Sequence, residues 1–247
     1  MVDVHRYHEI SESTHRIMNP LAPEQVVLLG EICGLGHDQR QLDLASGKGE
    51  MLCQLASRHG IAGVGIDVFF PYTTVATARA DELGVSHLLE FLEGDAATYA
   101  SEPASFDVVS CIGASWIGGG LAGTLDLMVR AVRGGGWLLM GKPYVQNDPS
   151  PAVHEQLCEG GDFVDLAGTL VRFEDAGLDL VEMVLATEET WDRYAASQWL
   201  NVAQWLDEHA HDPDAADVRA IRDHLRRSYL AHGRHHLGWG VFVLRCR

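Results

Sequence analysis

The stretch LDLASGKGEM, residues 42–51, places an aspartate and two closely spaced glycines at the end of a short apolar run. A phosphate-gripping loop of the G-x-x-x-x-G-K-[ST] kind needs a first glycine to start the anion-cradling turn and a final hydroxyl to hold Mg²⁺. Here the position five before Gly47 is Leu42, and Lys48 is followed by Gly49, so both ends fail. A dinucleotide fingerprint needs a third glycine where Leu52 stands. Asp43 is the more telling residue, because an acid at the strand end repels a pyrophosphate and accommodates a cation. The side chain of Lys48, between two glycines, is expected to point to solvent.

Around this loop, short apolar runs alternate with amphipathic ones. Strands are predicted at 40–45, 62–67, 88–92, 106–112 and 137–142, with helices at 49–59, 72–83, 96–100 and 121–132. A loop follows at 143–151, then a helix at 164–176, a sixth strand at 178–186 and a last strand at 238–246. Nearly continuous apolar strands separated by helices give a parallel sheet covered on both faces, and the right-handed crossover makes it doubly wound. Before the first strand, residues up to Asn19-Pro20 have helical spacing without a strong apolar face, and a helix starts near Pro23. Between the last two strands, 190–208 and 215–231 read as helices split by His211-Asp212-Pro213. The expected organisation is an N-terminal helical lid (1–36), a core (37–187 and 237–247) and a helical cap insertion (188–236).

The chain has 247 residues and is 47% hydrophobic, enough for one full α/β core. Its formal net charge of −17 and its lack of a basic stripe argue against nucleic acid as partner. The five cysteines form no C-x-x-C pair, which argues against a zinc site or a disulfide framework. No H-E-x-x-H occurs among the thirteen histidines, so no metal is expected. Without a signal peptide or a spanning run, the chain is expected to be cytoplasmic, with no membrane partner.

LDLASGKGEM resembles the first motif of the class I S-adenosylmethionine-dependent methyltransferases, with Ala45 where the first glycine usually stands. Further segments follow at suitable distances: VGID ending at Asp67, Gly94-Asp95-Ala96, FDVVSCIGASW and GGGWLLMGKPY. The resemblance covers about 40–245 and is closest to a bacterial small-molecule subgroup sharing THRI, GA-x-W-I-x-GG and GWGVF. It implies a Rossmann-like seven-stranded sheet, ordered 3-2-1-4-5-7-6 with the last strand antiparallel. It also implies S-adenosyl-L-methionine as cofactor, contacted by Asp43, Ala45, Ser46, Gly47, Gly49, Asp67, Val68, Asp95, Ala96 and Cys111. Asp67 would accept from the ribose hydroxyls, and Asp95 from the adenine amine.

Transfer from a sulfonium needs alignment and exclusion of water more than a fixed catalytic side chain. The acceptor is expected to be a small molecule, methylated on nitrogen, oxygen or carbon. Trp116, Lys142, Tyr144, Trp191 and Tyr194 lie where the carboxyl edge meets the extra helices and are the expected substrate contacts. Lys142 stands where the subgroup has an acid and would suit an anionic acceptor. His15, in the lid, is the candidate base or substrate contact. The alternative is a non-catalytic sensor of S-adenosylmethionine or S-adenosylhomocysteine on the same fold.

Overall fold

The computed structural model describes residues 2–99, 101–158 and 163–247. Seven strands form one sheet: β1 (Arg40–Leu44), β2 (Ala62–Asp67), β3 (Leu89–Glu93), β4 (Phe106–Ile112), β5 (Val132–Val145), β6 (Leu178–Leu185) and β7 (Leu237–Cys246). Their order is β3-β2-β1-β4-β5-β7-β6. The pairings among β1 to β5 are parallel, and β7 runs antiparallel to both β5 and β6.

Helices α1 (Val4–Ser11), α2 (Pro23–Ile32), α3 (Glu50–His59), α4 (Phe70–Glu82), α5 (Leu121–Ala131), α6 (Pro151–Leu157) and α7 (Leu166–Asp175) accompany the strands. The segment between β6 and β7 holds α8 (Glu188–Glu208), α9 (Ala215–Ser228), a π turn (Tyr229–Gly233) and α10 (Arg234–His236). No helix among the described residues is long and apolar enough to cross a membrane.

The central strands are buried on both faces, as their continuous apolar sequences require. One core holds Leu42, Leu44, Val109, Met140 and Phe242 beneath α5 and α7; the opposite core holds Val108, Leu139, Val241 and Val243 against α2. Alternate residues of β4 and β5 therefore serve opposite cores, a parity that matters below.

Three local readings change. Residues 96–98 form a turn rather than a helix, and Ala100, the expected end of that helix, lies outside the described residues. Strand β5 continues through Val145, because Lys142, Pro143, Tyr144 and Val145 pair with Gly240, Trp239, Gly238 and Leu237, and α6 was not anticipated in the loop beyond it. The N-terminal helix ends at Ser11; its apolar side, Tyr7 and Ile10, is narrow but buries against Val202, Leu206 and Val218 of α8 and α9.

The loop after β1 bends through left-handed backbone at Ala45 (φ 57°), Gly47 (φ 54°) and Gly49 (φ 68°). A side chain at Gly49 would also strike Phe91 and Ala76, so this glycine is required for α3 to pack on the sheet. Ala45 adopts the same region with a Cβ, at a cost of roughly 1–2 kcal/mol. Ala45→Gly is therefore expected to raise stability by about 0.5–1 kcal/mol in urea unfolding, the strain relief exceeding the added chain entropy. A fall in stability would mean that the Ala45 methyl contributes more by packing than its backbone costs.

Candidate functional site

The acids at the ends of β1 and β2 are both turned into the carboxyl edge of the sheet. Asp43 lies in register with Ser110 of β4, whose hydroxyl donates to its carboxylate at 2.6 Å. It is almost fully buried. Burial pushes its pKa up to about 7; the Asp67 charge adds to this and the Ser110 hydrogen bond opposes it. Asp67 is already tied: Oδ2 accepts from the Gly47 amide at 2.8 Å and Oδ1 from the Phe69 amide at 3.0 Å. Burial raises its pKa too, against those two hydrogen bonds and the nearby His5.

Above the glycine loop runs the N-terminal segment, and here Lys48 departs from expectation. Its ammonium donates to the backbone carbonyls of Glu12 (2.6 Å), His15 (3.0 Å) and Ser13 (3.4 Å). These are carbonyls beyond the C-terminal end of α1, and a lysine satisfies them as it would any helix end. The glycine loop thus grips the N-terminal segment by a side chain that sequence spacing alone pointed to solvent.

Glu12, absent from the expected site, is the centre of this roof. Its side chain is buried and takes hydrogen bonds from Tyr194 Oη at 2.7 Å and from Gln198 Nε2, both on α8, and contacts His15 Nδ1 at 2.6 Å. Burial pushes its pKa up, but the hydrogen bonds from His15, Tyr194 and Gln198, with the His15 charge, outweigh that and hold it below the ordinary value. Asn201 of α8 donates to the Ser11 carbonyl at 2.7 Å and accepts from Thr14 at 2.9 Å. An acid in the sequence signals none of this, since every partner on α8 is more than 180 positions away.

Between roof and sheet edge lies a cavity of about 400 Å³. Asp43, Ala45, Ser46, Gly47 and Asp67 line its floor, with Ile112, Gly113 and Ala114 from the end of β4. Glu12, Met18, Asn19 and Tyr194 line its roof, and Trp116, Trp191 and Trp239 its sides. The floor is bare backbone at Gly113, where a Cβ would fall 2.4 Å from the Asn19 side-chain oxygen, and Met18 sits over Gly47. Trp116 is 65% exposed at the rim.

The other expected residues lie elsewhere. Val68 and Asp95 are exposed beside Asp67, where Gly94 N donates to the Asp67 carbonyl and Asp95 caps the Ala97 amide. Gly49 is buried behind the loop, against Phe91. Ala96 and Cys111 belong to the core on the α5 side, with the Cys111 thiol directed at the Ala114 carbonyl.

Lys142 is 1% exposed and donates to the Pro143 carbonyl (2.8 Å) and toward Thr169 of α7 (3.5 Å), away from the cavity. Tyr144 shares its parity and packs in the α7-side core, lining a separate polar cavity with Gln146 and Gly238. The pleat sends Pro143, between them, to the main cavity instead. Trp191 lines both cavities. His15 stacks on Tyr194 (5.0 Å between ring centres), and its Nε2 meets Ser197 in an outer groove, so it braces Glu12 and does not face the cavity. No group of three or more His, Cys, Asp or Glu placed to hold a metal occurs among the described residues.

Comparison with known proteins agrees with this architecture. Residues 42–136 match the methyltransferase domain family. Over the full length of both proteins the chain is 43% identical to YjhP of Escherichia coli K12. It superposes on S-adenosylmethionine-dependent methyltransferases of Thiobacillus denitrificans (43% identical) and Geobacter sulfurreducens (44% identical). Each gives a TM-score of 0.92 over all of both chains, and each was solved in complex with S-adenosyl-L-homocysteine.

The Asp43 carboxyl makes a specific demand on folding. A folded pKa raised to about 7 means that the native state retains a proton which the unfolded chain, with a pKa of about 3.9, releases. Its favourable contribution is therefore full at low pH and is lost as pH rises from about 4 through 7. Asp43→Asn, which removes the ionisation, is expected to raise stability at pH 8 by about 2–4 kcal/mol in urea unfolding and by little at pH 4. An equal effect at both pH values would mean that Asp43 is ionised at no such cost.

Proposed function

The chain belongs to the class I S-adenosylmethionine-dependent methyltransferases, and from that premise we propose that it binds S-adenosylmethionine at the carboxyl edge and methylates a small, enclosed acceptor. The observation that supports this reading is the cavity itself, with two buried carboxylates in its floor and a hydrogen-bonded roof from the N-terminal segment and α8. We read residues 1–36 as a lid and 188–236 as a cap over a core of 37–187 and 237–247. A closed roof favours an acceptor that fits inside over a protein or a nucleic acid, and the net charge of −17 argues further against the latter. The comparisons lend no support to the sensor reading.

The residues suit this cofactor. It supplies an electrophilic methyl group on a sulfonium centre. Asp67 offers a carboxylate to the ribose hydroxyls while its amide bonds keep it oriented. Asp43 has a pKa near neutrality, so a cationic ligand overhead favours its ionised form. Backbone at Gly47 and Gly113 lets Met18 and Asn19 of the N-terminal segment close over the site, and the exposed Val68 and Asp95 extend the surface along which the adenine would lie. Trp116, Trp191 and Tyr194 present aromatic faces to the acceptor and the sulfonium side. The chain's part in catalysis is to hold both reactants in line and to exclude water with the roof. Lys142 and His15 act on structure, the first between β5 and α7, the second as a brace for Glu12.

Methyl consumption from S-adenosylmethionine tests this against separate panels of small amines, phenols and acids, of proteins, and of nucleic acids. Turnover confined to the small-molecule panel is expected, and turnover on protein or nucleic acid would overturn the enclosed-acceptor reading. Asp67→Asn is expected to weaken S-adenosylhomocysteine binding by roughly 5- to 150-fold in calorimetry, the scale of a lost charge-assisted hydrogen bond of about 1–3 kcal/mol. An unchanged dissociation constant would remove the ribose assignment.

A further inference from the structure

Tyr72, in the first turn of α4, lies five residues beyond Asp67 and outside every sequence motif discussed above. Its side chain lines the main cavity and is 8% exposed. The ring is fixed edge-on against Phe69, with centres 4.8 Å apart. Its hydroxyl is sealed from solvent and has no hydrogen-bond partner among the described residues. An unmade hydrogen bond of this kind destabilises the fold, and native interiors rarely retain one without a use. The other unpartnered hydroxyl of the cavity wall among the described residues, on Ser46, sits over Gly65 against the sheet, whereas the Tyr72 ring stands in the cavity wall with the Lys48 ammonium over it.

The surroundings specify what the hydroxyl can meet. The Lys48 ammonium stands 5.8 Å from the Tyr72 ring centre. The Asp43, Asp67 and Glu12 carboxylates line the same cavity. A simple anion would face these acids, and a simple cation would face the ammonium. A group carrying both charges satisfies both, and a phenolic hydroxyl can donate to a carboxylate or accept from an ammonium. Burial, with the charges of Glu12, Asp67 and Glu9, keeps this phenol protonated across the physiological range.

Resting on the reading that this cavity binds S-adenosylmethionine, we propose that the Tyr72 hydroxyl, beside the Lys48 ammonium, holds the zwitterionic amino-acid end of that cofactor. The assignment gives the two ends of the turn beyond β2 separate tasks. Asp67 serves the ribose, and Tyr72 fixes the opposite end of the ligand beneath the N-terminal segment. Lys48, whose three donors go to the segment's carbonyls, contributes its charge to that corner of the ligand.

The test is Tyr72→Phe, which removes one oxygen and keeps the ring and its packing. Two probes are used in calorimetry: S-adenosylhomocysteine, and 5′-methylthioadenosine, which keeps the nucleoside but lacks the amino-acid end. Thermal unfolding of the unliganded variant is recorded alongside. The expected result is about a tenfold loss of S-adenosylhomocysteine affinity, unchanged 5′-methylthioadenosine affinity, and an unliganded Tm equal to or above that of the parent. A hydroxyl with a structural task would lower the unliganded Tm instead.

S-adenosylhomocysteine affinity within twofold of the parent would overturn the proposal, as would an equal loss for both probes, which would move the contact to the nucleoside. If the parent protein itself bound neither probe, the cofactor reading of the cavity would fall, a result distinct from a failure at Tyr72 alone.

Discussion

Asp67 joins two turns that the chain makes twenty residues apart. One oxygen receives the amide of Gly47 in the loop after β1, and the other receives the amide of Phe69 in the turn after β2. Each is a hydrogen bond to a charged acceptor, worth about 1.5–3 kcal/mol. With Gly47 held in place, Lys48 reaches up to three carbonyls of the N-terminal segment. Those contacts hold Glu12 over the cavity, and Glu12 gathers Tyr194 and Gln198 from a helix near the other end of the chain. Floor, loop and roof are therefore one connected assembly, and its first link is a carboxylate at the end of a strand.

This assembly is built against the fold's own preference. Burial raises the pKa of both Asp43 and Asp67, and the Asp67 charge raises that of Asp43 further. The Tyr72 hydroxyl has no partner among the described residues, and Ala45 takes a backbone conformation that suits glycine. Strain and unmet polarity concentrated in a few ångströms around one cavity are the physical mark of a place shaped for a ligand. Glu12 is the contrast: it is equally buried, but its hydrogen-bond partners from the N-terminal segment and α8 hold its pKa low.

What could be read in the chain followed the range of the interaction. The strands and the cavity floor were legible because apolar segments alternating with helices dictate a parallel sheet, and such sheets put their ligands at the carboxyl edge, while the strand order was implied by the family resemblance. Asp43 and Asp67 end their strands, so a local pattern places them. Lys142 and Tyr144 also stand at a strand's carboxyl end, yet the pleat turns both toward α7 and leaves Pro143 to face the cavity. Choosing between the faces of a strand buried on both sides needs the neighbouring layers, since no polar-apolar alternation marks either face as outer. His15 was noticed for its chemistry and proved to brace Glu12, because its neighbours Ser197 and Tyr194 come from α8.

The sequence by itself determined the strands, the glycine loop and the placement of Asp43 and Asp67 at the ends of β1 and β2. These depend on residues within a few positions of one another, where covalent geometry and periodicity leave few choices. Only the tertiary structure decided that Lys48 grips the N-terminal segment, that Glu12 centres the roof and that Tyr72 lines the cavity beside them. Each of those facts arises where segments remote in sequence meet. Burial and charge there are properties of the assembled neighbourhood, carried by no single stretch of chain.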